Sequence, residues 1–464
     1  MVELNALIVT IVICLPAIAL FVRRSSWLVD YLFFVVAFNR GIRRYVDYEN
    51  EFFNRFSTIS LTPIIVGGLA ALIVFLALGR NDERFGNRSK TVLGLYSCAV
   101  GYAFAIGFVN AKFAAIYALG DYIAPIGLMG FGILWADDQQ TISRWCNTFA
   151  LTAFLVAIYG LWQFYTIPPW DGFWLVESEM DGYMGFPEPR KMTLFSTMAA
   201  RGPAAMYLCA GLMVLALRPK TLIFLRIPAI VTVCWAMLLT YARTSVIFSG
   251  LAVLLFPILN RGSGAVTVGL IILAALFVGP IVMGGLPDQA YARVETIGSI
   301  SEDASFNGRI RLLGIALSRS LSSPQGLGIG AGGMASRVEN ATTSTVGDST
   351  GYAETLATYG FIGFLVIISV LYRIWNSSSV LVSDGLDDEN IRIFRAWLIA
   401  GMAALFSANW LAGASFFWVL AGYSLGRLDD FESYLDDPEE EFDPDDEFQP
   451  GEEFGLSARE TALG

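Results

Sequence analysis

The chain has 464 residues, 55% of them apolar and only 15% charged, with a mean hydropathy of +0.58; so few charges cannot coat a globule of this size, which excludes a soluble fold. Lipid offers backbone amides no partners, and the apolar runs far exceed the roughly ten residues of a barrel strand, which leaves helices as the spanning elements. The formal charge of −11 is concentrated in residues 428–464, where fifteen Asp/Glu stand against one Arg; the rest of the chain is slightly basic, and the acidic balance says nothing about its partners.

Residues 4–22 form the first apolar run, with no basic stretch before it and no small-residue cleavage site after it, so a retained span is expected rather than a cleaved signal. Further spans are predicted at 27–38 (short), 59–78, 92–109, 114–135, 147–166, 203–217, 221–240, 244–259, 266–284 and 352–372. The run 394–426 is too long for one untilted helix, and Asn409-Trp410 at its middle suits a turn between two short ones. The expectation is an all-α polytopic membrane protein of about 12–13 transmembrane helices, occupying residues 1–427 and followed by an acidic, disordered tail.

Lys and Arg counted in short loops set the orientation. Arg80, Arg84, Arg88, Lys90, Arg144, Arg218, Lys220, Arg261, Arg373, Arg392 and Arg395 fall on one side, which is expected to be cytoplasmic. Loops 167–202 and 285–349 then fall outside. Arg40-Gly41-Ile42-Arg43-Arg44 breaks the rule, because the same parity puts these cations outside too.

Five cysteines without CxxC spacing read as packing residues, and the lack of any histidine removes the commonest general base and metal ligand. The tail from Asp429 repeats an acid-then-Phe theme, as in Glu441-Phe442 and Glu447-Phe448. Gly328-Ile329-Gly330-Ala331-Gly332-Gly333 matches GxGxxG, but no strand precedes it and no suitable helix follows; a tightly turning glycine loop is expected instead of a nucleotide site.

The chemistry is expected on the outer side. Arg243 lies at the junction of two apolar segments, where a cation either snorkels or faces a polar cavity. Arg309 and Arg311 share an amphipathic stretch; two residues apart, they point about 200° from each other, so only one can face a common cavity. Guanidinium forks match phosphate oxygens, so Arg309 with Arg243 suits a pyrophosphate. Asp348 could cap the helix beginning near Tyr352 or serve as a general base, with Glu354 its nearest competitor. The carboxylates Asp171, Glu177, Glu179, Asp181 and Glu188 are interleaved with aromatics in a way that suits sugars, and Arg201 at a span entrance adds positive charge. Arg201, Arg311, Tyr352 and Glu354 complete the candidate set as substrate-contacting groups.

Tyr241-Ala242-Arg243-Thr244-Ser245, then Ser305-Phe306-Asn307-Gly308-Arg309, Pro324-Gln325-Gly326-Leu327-Gly328, Asp348-Ser349-Thr350-Gly351-Tyr352 and Tyr359-Gly360-Phe361-Ile362-Gly363 together resemble the O-antigen ligase and Wzy-type polysaccharide polymerase superfamily. The resemblance implies a GT-C-like membrane glycosyltransferase that takes glycans from polyprenyl pyrophosphate on the periplasmic face of the bacterial inner membrane. No metal or other cofactor is implied. It maps the two donor-binding arginines of the ligases onto Arg243 and Arg309. Ligases carry a histidine where this chain has Gly347-Asp348-Ser349, so a polymerase is expected, with ligase and lipid-linked glycan flippase as alternatives. The implied partners are a polyprenyl-pyrophosphate-linked oligosaccharide, the lipid bilayer and other polysaccharide-assembly proteins, with no nucleic acid.

Overall fold

The computed structural model describes residues 2–54, 57–180, 184–242, 251, 304–331, 350–386, 388–406, 409–411 and 416–436. Twelve α-helices stand in that portion: α1 (Val2–Val22), α2 (Trp27–Glu49), α3 (Thr62–Gly79, preceded by a 3-10 turn at Thr58–Leu61), α4 (Asn87–Leu134), α5 (Gln139–Thr166), α6 (Pro169–Glu177), α7 (Arg201–Leu217), α8 (Arg226–Leu239), α9 (Ala304–Ser322), α10 (Gly351–Ser383), α11 (Glu389–Ala404) and α12 (Phe416–Asp436). Five helical stretches, Leu4–Val22, Thr58–Gly79, Asn87–Leu134, Gln139–Thr166 and Gly351–Ser383, are long and apolar enough to cross a membrane. The chain is therefore an all-α, membrane-type protein. The expected spans 244–259 and 266–284 lie outside the described residues, as does most of the loop 285–349.

Polar side chains and prolines start the helices. Asp138 caps α5 by accepting from the Thr141 amide at 2.9 Å, Asp388 caps α11 through the Ile391 amide at 3.0 Å, and prolines open α3 and α6. The cap of α10 is Thr350, whose hydroxyl accepts from Ala353 N at 3.0 Å. Thr350 thus fills the position offered to Asp348, which itself lies outside the described residues.

α4 is two helices. Lys112, at φ 37° and ψ −108°, breaks it, and Arg84 just before its start donates to the Leu134 carbonyl at its end at 3.2 Å. A straight helix of 48 residues would hold those ends about 70 Å apart, so the chain reverses at Lys112. The expected spans 92–109 and 114–135 are its two arms. Small residues let helices close on the second arm: a Cβ on Gly67 would meet Ala124 Cβ at 3.2 Å, one on Gly127 would meet Ala70 Cβ at 2.9 Å, and one on Gly132 would overlap the α12 backbone.

α2 and α12 depart from expectation. α2 continues past Phe38 to Glu49, carrying Arg40, Arg43 and Arg44 on a helix rather than in a loop. α12 continues to Asp436, so the start of the acidic tail is helical: Asp429 accepts from the Ser89 amide at 3.2 Å and Glu432 pairs with Arg88. α11 and α12 flank Asn409-Trp410, matching the turn expected there.

The basic loops meet at one end of the bundle, called here the Arg84 end. Arg84 bonds Leu134, Arg144 pairs with Asp30 at 3.0 Å, Arg218 reaches Ser143 at 2.9 Å, and Arg427 approaches Asp137. Hydrogen bonds from the Arg84 side chain, with a third from its backbone amide, hold the Asp82 carboxyl below its ordinary range. Burial, with Asp137 alongside, pushes the Asp430 carboxyl up to about 7. The opposite, Lys112 end gathers residues 50–54, α6 and residues 184–200.

Candidate functional site

At the Lys112 end, three arginines that interrupt the hydropathy of α2 find partners far away in sequence. Arg44, 1% exposed, lies against Asp171, 0% exposed, with Nε 2.7 Å from Oδ1 at an angle too poor for a hydrogen bond. Its other nitrogens donate to the carbonyls of Met198 (2.8 Å) and Ser196. The guanidinium also stands over the rings of Phe195 and Trp174, at 4.9 and 5.5 Å. Asp171 in turn accepts from Tyr159 Oη at 2.8 Å and Gln163 Nε2 at 2.7 Å, while Gln163 Oε1 accepts from the Ser196 amide at 2.7 Å. A buried charge survives only when so paired, and this latch ties α2, α5, α6 and the irregular chain before α7 into one piece. Asp171 is therefore an internal anchor and not a sugar-facing carboxylate.

Arg40 and Arg43 stand beside that latch. Both donate to Ser60 Oγ at 3.2 Å; Arg40 also donates to Tyr117 Oη at 2.8 Å, and Arg43 approaches Asp47 at 3.4 Å. Asn39, 1% exposed, finds no partner for its amide among the described residues. Asp121 lies one turn beyond Tyr117 on the second arm of α4, and its charge acts on Arg40. Tyr117, Asp121 and the fully buried Leu128 fall within about 40° on the helical wheel, while Ile116 and Ile123 lie about 140–160° from Asp121. Asp121 nevertheless is exposed. An inward-pointing aspartate with exposed surface in an apolar helix marks a cleft beside Tyr117 on α4 and Arg40 on α2. Tyr122, the next residue, packs its ring 6.0 Å from Tyr359 on α10 and feels the charge of Glu354.

The glycine-rich run crosses from α10 to the two arms of α4. Its residues 326–330 carry no helix; Leu327 N donates to Ala357 O at 2.7 Å, Gly328 N to Thr358 O at 3.1 Å and Ile329 N to Ala103 O at 2.9 Å. The break at Gly360, φ 67°, interrupts the hydrogen-bond ladder of α10 and exposes those α10 carbonyls to the extended strap. A Cβ on Gly328, φ 85°, would overlap the backbone of Gly107, which is why the strap needs glycine there. The expected tight turning is what residues 326–330 show; Gly332 and Gly333 lie outside the described residues.

The candidates named from sequence fall as follows. Arg243 and Asp348 lie outside the described residues. The chain leading to Arg243 is at the Lys112 end, since Leu194 N donates to Leu239 O at 2.9 Å. Arg201 opens α7 directly after the segment held by Arg44, at the same end. α9 packs Leu313, Ile315 and Ala316 on Ala353, Leu356 and Phe364. Arg309 shares the half-buried face of α9 with Leu313 and Ala316, whereas Arg311 is exposed on the other side. Tyr352 donates to the Met402 carbonyl at 2.7 Å, and Glu354 is half-buried one turn before Thr358. Among the described residues, no three His, Cys, Asp or Glu are placed to hold a metal. Arg40 and Asp121 were not among the candidates, although a single acid inside an otherwise apolar span is a signal in its own right.

Compared with protein-family models and with curated proteins, the chain matches none.

Proposed function

We propose that the protein is a membrane glycosyltransferase that polymerises polyprenyl-pyrophosphate-linked oligosaccharide repeat units on the periplasmic face of the bacterial inner membrane, through a GT-C-like bundle of 12–13 spans. The observation that carries this reading is the gathering of Arg201, the approach to Arg243 and the arginines of α2 at one end of the bundle, while the basic loops meet at the other. Positive-inside orientation makes the loop-rich Arg84 end cytoplasmic and the cleft outward-facing. Arg40, Arg43 and Arg44 do not weigh against this orientation, because they are paired within the helices rather than free in a loop.

In the reaction, the anomeric carbon of the donor sugar gains a bond to an acceptor hydroxyl oxygen and loses its bond to the pyrophosphate. Charge builds on that leaving group in the transition state, and Arg243 with Arg309 would stabilise it. Asp348 and Glu354 are the candidates from sequence for taking the hydroxyl proton.

A transporter of the lipid-linked glycan is the second reading, favoured by the broken helix at Gly360 and the buried charges of α2. Deleting the gene and weighing lipid-linked and polymerised glycans separates the readings. Loss of polymer with single repeat units on the outer face supports the polymerase. Units held on the inner face support the transporter, and normal polymer left unattached supports a ligase. Full-length polymer made by Arg309→Ala and Arg243→Ala variants at normal membrane levels would overturn the polymerase mechanism.

A further inference from the structure

We propose that Asp121 is the proton acceptor for the incoming sugar hydroxyl, in a subsite completed by Arg40, Tyr117 and Ser60. The proposal rests on the glycosyltransferase reading and names the acceptor side of that same site. Asp121 lies nine residues past the reversal at Lys112, about 14 Å from that end, on the inward face of its helix and yet exposed. Among the described residues its carboxylate accepts no hydrogen bond, so both oxygens are available to a ligand. An aspartate that merely tied α4 to α2 would be expected to bond Arg40 directly; here Arg40 instead donates to Tyr117 Oη and Ser60 Oγ. Arg40 keeps a positive charge nearby, and its contacts fix the guanidinium as a wall of the cleft.

This set of groups suits a sugar hydroxyl. A carboxylate accepts its proton, a guanidinium and a phenol donate to its neighbours, and the Tyr117 ring offers an apolar face. Proton and electrons balance without any further reagent. The acceptor O–H gives its proton to Asp121 as its oxygen bonds the anomeric carbon; the carbon–phosphate oxygen bond breaks and its electron pair leaves with the pyrophosphate. Asp121 then returns the proton to cleft water. Glu354, reaching Tyr122 from the α10 side, approaches the same cleft but is half-buried.

Two measurements test the assignment. In the first, the deletion strain is complemented with Asp121→Asn, Asp121→Glu, Asp348→Asn or Glu354→Gln, and polymer made per unit of membrane-inserted protein is compared. Asp121→Asn is expected to lose about a hundredfold or more in rate, with Asp121→Glu retaining more and with Asp348→Asn and Glu354→Gln each losing less than Asp121→Asn. The rate of wild type should fall at low pH, and Asp121→Asn should lose that limb. Wild-type polymer from Asp121→Asn, or a loss confined to Asp348→Asn, overturns the proposal while leaving the glycosyltransferase reading intact; unaltered polymer in the deletion strain itself removes that reading and the proposal together. In the second, the purified full chain is treated with a water-soluble carbodiimide and glycine ethyl ester and mapped by mass. Asp121 should be labelled as readily as the exposed Asp384. Labelling of Asp384 with none at Asp121 overturns the open cleft.

Discussion

Replacing Asp171 with alanine would leave the Arg44 guanidinium 1% exposed and without its counter-charge. Removing one partner of a buried ion pair costs about 3–5 kcal/mol, because the remaining charge stays desolvated. Several contacts soften the loss: Arg44 keeps the carbonyls of Ser196 and Met198 and two ring faces, Gln163 Nε2 keeps Ser196 O at 3.2 Å, and Tyr159 Oη still accepts from Trp170 at 2.6 Å. The expected cost is therefore at the lower end, about 3 kcal/mol. For a chain of this size that corresponds to a fall of about 3 °C in the apparent melting temperature, read from loss of the monomer peak after heating in detergent. Arg44→Leu with Asp171→Leu removes both charges but strands the buried Met198 carbonyl at about 1–3 kcal/mol, Ser196 O keeping Gln163 Nε2, so the pair should cost less than the sum of the single variants without reaching wild type. Additive single effects, or a wild-type melting temperature for Asp171→Ala, would refute the latch.

Gly360→Ala forces a side chain into a left-handed position against Pro324 and Gln325; it is expected to cost more than about 1–2 kcal/mol and to lower the yield of folded monomer. Thr350→Ala should cost about 1 kcal/mol through the lost cap of α10, visible as earlier thermal loss of monomer. Asp430 holds its proton up to about pH 7 in the folded chain and only to the ordinary carboxyl range when unfolded. The fold therefore binds more protons between those values, and stability falls as pH rises through them; Asp430→Asn should flatten that slope in melts taken from pH 4 to 8. On α9, Arg309→Ala is expected to abolish polymer while Arg311→Ala leaves it, and the reverse order would show that the half-buried face is not the functional one.

Hydropathy carried the reading wherever a run was continuous, which is why both arms of α4 and the turn at Asn409-Trp410 were legible. It ended the second span at Phe38 because Arg40, Arg43 and Arg44 follow; their partners Tyr117, Ser196 and Asp171 come from elsewhere in the chain, and no local window joins them. The same arginines broke the charge rule for the same reason. Asp121 was hidden by its neighbours: Ala118, Tyr122 and Ala124 are buried, and one acid among them barely lowers the mean. The glycines were read correctly as turning, but only the fold reveals that their partners are the backbones of α4 and α10.

The strap at 324–330 also has a bearing on the order in which the protein is assembled. Its seat is made by Ala103, Gly107 and Ala114 on the arms of α4, synthesised about two hundred residues earlier, and by Ala357 and Thr358, which come later still. Until α10 has entered the membrane, the amides of Leu327 and Gly328 lack the carbonyls of Ala357 and Thr358 that receive them, and only Ala103 on α4 is in place, for Ile329. The bundle thus closes late, on a piece of extended chain rather than on a helix. A nascent chain with residue 340 just clear of the ribosome should expose the strap to protease, and one with residue 383 also clear should protect it.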